Sequence, residues 1–155
     1  MNAPFSGGCA CGAKGLLLTL IGFASCAHAA PPDPALVGCW RATSIVQRFQ
    51  DGTKAEDSSG RCTLRFTEDA LESTCATASS SVTSTYGYRL DRPNVYVTTM
   101  TGSTFSTSLV GSTRAYEYHV DGDRLSTASD LPVAKPAAAT AAIRVETEAT
   151  RIPCP

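Results

Sequence analysis

The chain is poor in the residues that most enzymes and nucleic-acid binders rely on. Of its 155 residues, two are histidine, two methionine and one tryptophan. His28 falls in an N-terminal leader, which leaves His119 alone in the body of the chain. A lone histidine excludes a multi-histidine metal centre and reduces any Ser-His-Asp arrangement to His119 with Asp121 or Asp123. No strand-turn-helix Gly-x-Ser-x-Gly context accompanies it, so His119 reads as a solvent-facing strand residue beside Glu117 or Arg124. Asp121-Gly122-Asp123 offers oxygens to calcium, but Asp-Gly is also what a tight turn requires. Paired carboxylates would be the remaining route to hydrolysis. Glu68, Asp69 and Glu72 cluster at a turn, where like charges are ordinarily solvated. No catalytic residue, metal site or cofactor is expected. A basic excess is missing as well: the net charge is −1 and the pI about 6.1, which argues against nucleic acid, whose binders carry a basic patch or stripe.

Long apolar runs are also missing, apart from a short one near the start. Leu16 to Ala24 is preceded by Lys14 and is too short to span a bilayer, which takes about 20 apolar residues. It suits the core of a signal peptide. Ala27-His28-Ala29 is a small-x-small cleavage site, predicting a signal peptide over 1–29 and a mature start at Ala30. Phe23-Ala24-Ser25-Cys26 offers an alternative, a lipobox-like stretch with Cys26 acylated at the outer membrane. Cys9 and Cys11 lie ahead of the apolar core and go with the discarded leader. The expected location is periplasmic or secreted. Residues 30–35 read as a proline-rich spacer and 36–155 as the folded domain, of a size for one core.

What the exported part does have is four cysteines, Cys39, Cys62, Cys75 and Cys154. An even count in an oxidising compartment reads as disulfides. The stretch from Cys62 to Cys75 folds about Glu68-Asp69 so that Phe66 opposes Leu71, Leu64 opposes Ser73 and Cys62 opposes Cys75. Opposed residues of an antiparallel pair have Cβ atoms about 4.5–5.5 Å apart, near disulfide range. This register selects Cys62–Cys75 and leaves Cys39–Cys154, tying the first strand to the chain end.

Alternation at period two fills most of the remainder. Leu36 to Phe49 is β-rich, Asp51-Gly52 turns, and Lys54 to Gly60 is a polar loop. Val82, Ser84, Tyr86, Tyr88 and Leu90 share one strand face, and Asp91 to Asn94 turns into Val95–Met100. Thr101-Gly102-Ser103 reads as a turn, with a further strand through Phe105, Thr107 and Leu109 that Gly111-Ser112 closes. A second hairpin is centred on Asp121-Gly122 as a type I′ turn. It would set Tyr118 against Leu125, His119 against Arg124 and Tyr116 against Thr127. Ala134 to Ala142 is a loop or linker, and Ile143, Val145 and Thr147 mark the last strand. Short strands, short connections and no convincing helix predict an all-β fold. The expectation is a single antiparallel meander barrel of about eight strands rather than a sandwich, because closure removes exposed edges.

Leu36-Val37-Gly38-Cys39-Trp40-Arg41 resembles the Gly-x-Trp opening of lipocalin-like small meander barrels, and 116–125 looks like one of their late hairpins. The resemblance implies a Trp40 that plugs the closed end and an arginine near the last strand, Arg144 or Arg151, packed over it. It also implies a monomeric binder of a small apolar or amphipathic molecule. Similar barrels serve as secreted inhibitors of proteases and lysozymes, so a target hydrolase is an alternative partner. A structural envelope protein held by a lipid on Cys26 is a third. Trp40, Tyr86, Tyr88, Tyr116 and Tyr118 are the candidate ligand-lining residues; Tyr96 belongs to the same tyrosine set. The plainer role for the tyrosines is to fill a small core. A carrier requires a pocket of about 300 Å³ or more; an inhibitor requires a protruding segment, for which Ala30 to Ala35 and Lys54 to Gly60 are the candidates.

Overall fold

The structure, a computed structural model, describes residues 31–131 and 142–155. The expected leader with Cys26, and most of the alanine-rich linker, lie outside the described residues. These hold nine strands: β1 (Gly38–Phe49), β2 (Lys54–Asp57), β3 (Cys62–Phe66), β4 (Ala70–Ala76), β5 (Ser81–Arg92), β6 (Val95–Ser103), β7 (Thr113–Asp121), β8 (Arg124–Asp130) and β9 (Ala142–Ile152). All pair antiparallel, and β9 returns to pair with β1 from Cys39↔Ile152 to Phe49↔Ala142. The other edge of β1 is shared: its first residues pair with β3 and its last with β2. β1 and β3 to β9 therefore close an eight-stranded barrel, with β2 an extra strand at one rim. The expected architecture, an all-β antiparallel meander barrel with disulfides, is the observed one.

The stapled hairpin has the expected register, Phe66↔Leu71, Leu64↔Ser73 and Cys62↔Cys75. Its disulfide is formed, with Cα atoms 4.0 Å apart, and Cys39–Cys154 joins the two ends of the sheet.

Four local expectations are corrected. Lys54–Asp57 is a strand, β2, not a loop; every residue in it is exposed, so only backbone pairing to β1 holds it and no apolar pattern announces it. The turn expected at Thr101–Ser103 is instead the end of β6. Thr101 is an extra residue beside β5, after which Thr85↔Gly102 and Ser84↔Ser103 resume the ladder. The strand expected over Phe105–Leu109 is a rim loop with a 3-10 turn at Thr107–Leu109. Its backbone donors are satisfied locally: Phe105 and Ser106 N–H reach Ser103 Oγ, and Leu109 N–H reaches Ser106 O. Phe105 is 79% exposed. Finally, β7 and β8 pair as Val120↔Leu125, His119↔Ser126 and Tyr118↔Thr127, a slip of two from the expected register. Gly122 takes φ +57, while Asn94 is the sole non-glycine with positive φ among the described residues. One positive φ, at the first loop position, is the type II′ pattern rather than I′. A slip of two keeps every side chain on its expected face.

Candidate functional site

The barrel has two unlike halves. At the closed end, Trp40 is fully buried and its indole Nε1 donates to Leu36 O at 2.9 Å. Leu36, also fully buried, seals the base. The arginine over Trp40 is Arg151, not Arg144: its guanidinium lies 4.0 Å from the ring centroid and donates to Val37 O at 3.0 Å and Ala35 O at 2.6 Å. Gly38 makes room for it. The glycine has φ +133, and a Cβ there would sit 2.6 Å from Arg151 Nη1, so both the backbone and the close approach demand glycine. Arg144 instead faces outward among Glu117, Asp130 and Glu146. The stretch read as a spacer is docked on this base: Asp33 accepts from Tyr118 Oη at 2.8 Å.

Above the base lies an aromatic core. Phe66 meets Tyr88 and Tyr96 edge-on at 5.5 and 5.6 Å, and Tyr96 stacks on Tyr116 at 5.1 Å. Such pairs add about 0.5–1.5 kcal/mol each beyond the area they bury. Among the described residues every buried hydroxyl is satisfied; Tyr88 Oη, for example, donates to Thr67 O at 2.7 Å. Burial lifts the pKa of Tyr96 well above that of a free tyrosine. Burial first, and then the hydrogen bond to Asp33, push Tyr118 up to about 12. Of the candidate ligand-lining residues, then, Trp40, Tyr88 and Tyr118 belong to the packed half.

The other half is open. A β-bulge in β1 shifts the register between Ala42 and Ser44. Ala42 pairs with inward Ala149, but beyond the bulge Ile45 pairs with Thr147 and Gln47 with Val145, so Ile45 and Gln47 now point inward. With Ala55 of β2 and the Cys62–Cys75 disulfide they bound a cavity of about 490 Å³. On the opposite wall a smaller pocket of about 200 Å³ is lined by Ser84, Tyr86, Thr98, Met100, Arg114 and Tyr116, with Leu109 of the rim loop above it. Tyr86 and Tyr116 are thus brought together here. Burial raises the pKa of Tyr116, and the neighbouring Arg114 guanidinium opposes that rise.

Sequence reasoning missed Ile45, Gln47, Ala55 and Arg114. Arg114 was within reach, since it continues the Tyr116, Tyr118 alternation by one step. Ile45 and Gln47 were not, because the bulge that turns them inward leaves no mark in the residues. A second cavity of about 490 Å³ lies on the outer wall at Arg92, Val95, Glu117, Asp130 and Arg144, but there Arg144 is already paired with Glu117 and Asp130. His119 is exposed on the outer face, and among the described residues no group of three or more His, Cys, Asp or Glu is placed to hold a metal ion.

No protein-family model matches the chain, and no curated protein matches it. Solved structures do. A lipocalin-like protein from Bacteroides uniformis superposes with a TM-score of 0.51 at 10% identity, over 76% of this chain and 99% of that one. An uncharacterized protein from Bacteroides eggerthii gives a TM-score of 0.48 at 9% identity, over 75% of this chain and 98% of that one. The first likeness shows that the fold is lipocalin-like.

Proposed function

We propose that the protein is an exported, non-enzymatic binder of a small amphipathic molecule held in the open half of the barrel. The observation that carries this reading is the cavity of about 490 Å³ bounded by Ile45, Gln47, Ala55 and the Cys62–Cys75 disulfide. It falls within the range of about 300–1,000 Å³ usual for small-molecule sites, and its walls combine apolar side chains with a few polar ones. Two disulfides fit an oxidising compartment, in keeping with export. Among the described residues no helix is long and apolar enough to cross a membrane.

The test is native mass spectrometry of protein purified from its own host, beside an Ala55→Trp variant whose indole fills the cavity. The expected result is a co-purifying small molecule that the variant lacks. Protein that carries no adduct, and that takes up an amphipathic fluorescent probe no better than the variant does, would sink the reading.

The inhibitor alternative fares differently from its expected form. Pro31–Leu36 is held on the closed end and Lys54–Asp57 lies in the sheet, so neither is presented as a free segment. What favours it now is the rim loop, where Phe105, Leu109 and Val110 are 79%, 45% and 48% exposed. A co-purifying hydrolase would decide for it.

A further inference from the structure

We propose that the ligand carries a carboxylate head and that Arg114 receives it in the smaller pocket. This rests on the reading above and names the chemistry of the ligand. The register sets Arg114 directly opposite Thr98, which is 2% exposed and faces inward, so the two share the inner face of the wall. Along that face Arg114 brings a full positive charge into a pocket otherwise walled by hydroxyls, two tyrosine rings and Met100. All Asp and Glu of the chain lie among the described residues, and none of them pairs with Arg114. Its polar neighbour is the Tyr116 hydroxyl.

Arg114 is half-buried, and a guanidinium drawn partly out of water without a counter-ion loses hydration that the neutral Tyr116 hydroxyl only partly replaces. Such a cost is what a site adapted to an anion carries while empty. The guanidinium offers a planar fork of donors that matches a carboxylate with two parallel bonds. Ser84, Thr98 and Tyr116 add hydroxyls around it, while Tyr86, Met100 and Leu109 offer apolar surface for the first carbons of a chain. A volume of about 200 Å³ suits a head group and a short stretch of tail rather than a whole lipid.

The experiment uses the disulfide-bonded protein and measures binding of dodecanoate, dodecanol and inorganic phosphate by calorimetry, in wild type, Arg114→Gln and Arg114→Lys. Dodecanoate is expected to bind the wild type about tenfold or more tighter than dodecanol, the worth of one charged hydrogen-bonded contact. Arg114→Gln should lose that factor for dodecanoate alone, and Arg114→Lys should recover part of it. The thermal midpoint of Arg114→Gln should equal or exceed that of the wild type, since an uncompensated charge has gone. Equal affinity for acid and alcohol, with no change in Arg114→Gln, would overturn the carboxylate site and leave the amphipathic reading standing. Failure of both amphiphiles to bind would remove both proposals. Phosphate binding as tightly as dodecanoate would make the pocket a free-anion site and overturn this one. A lowered midpoint in Arg114→Gln would make the residue structural and do the same.

Discussion

Tyr118 shows how one side chain joins the core of the molecule to its base. Its ring packs 5.7 Å from Tyr96 in the core, while its hydroxyl reaches the Asp33 carboxylate on the base. The contact holds only while the phenol keeps its proton. The folded pKa, about 12, lies above the value of about 10 for an unfolded chain. The stabilisation is therefore fully present below about pH 10 and is lost as pH rises from there through about 12. Tyr96 and Tyr116 shift in the same direction through burial and reinforce the loss. Alkaline titration should show tyrosinate absorbance rising together with a change in Trp40 fluorescence, as one transition. Tyr118→Phe should cost about 1 kcal/mol at neutral pH and weaken the alkaline step. Tyrosinate formed in full by pH 10 with Trp40 emission unchanged would contradict this account. The closed end was legible through the resemblance of Leu36–Arg41 to a Gly-x-Trp opening, which put Trp40 at the base with an arginine of the last strand over it. The choice between Arg144 and Arg151 was not, since both lie on β9 and only the register decides which reaches the tryptophan.

The two hairpins differ in how far their sequences specify the register, and the difference is physical. In β3–β4 the cysteines, Leu64, Phe66 and Leu71 all agree on one turn centre, and any slip of one residue would turn an apolar set to water. In β7–β8 the sequence Asp121-Gly122-Asp123 accommodates Gly122 either as the second central residue of a I′ turn or as the first of a II′ turn. The two choices differ by a slip of two, which preserves both faces, so hydrophobic pattern cannot separate them. The rim loop misled for a related reason: apolar residues alternating with Ser and Thr over five positions arise without a ladder. β3–β4 also permits a clean test. Its disulfide closes a short loop, with cysteines 13 residues apart, and such a loop contributes about 3 kcal/mol in the chain-entropy model. Cys62→Ala with Cys75→Ala should lower stability by about 2–4 kcal/mol in urea unfolding and leave the far-ultraviolet circular dichroism that of a β protein. A double variant as stable as wild type would show the staple idle.

At the scale of the whole barrel, the closed half was readable and the open half only partly so. Packing demands apolar residues at fixed periods, and Trp40, Phe66, Tyr88, Tyr96 and Leu125 meet that demand. A cavity demands only that something be missing, and here it depends on a bulge and on an exposed strand, β2, that carry no hydrophobic signature. Closure follows from the need to remove exposed edges and agrees with the pairing of Cys39 with Cys154, which are 115 residues apart in sequence and bonded in the structure. That bond has a mechanical consequence. A pull applied between the two chain ends runs from the N-terminal segment into Cys39, across the disulfide to Cys154, and out. The eight strands of the ring lie outside the line of force, as a loop hanging from a clasp. Stretched in optical tweezers, the oxidised protein should show no unfolding step from the barrel. With the disulfides reduced, the same pull should break the barrel and lengthen the molecule by roughly 400 Å, given 115 residues at about 3.3–3.6 Å each. A tether at either end, lipid or protein, would thus load the covalent clasp and spare the ligand cavity.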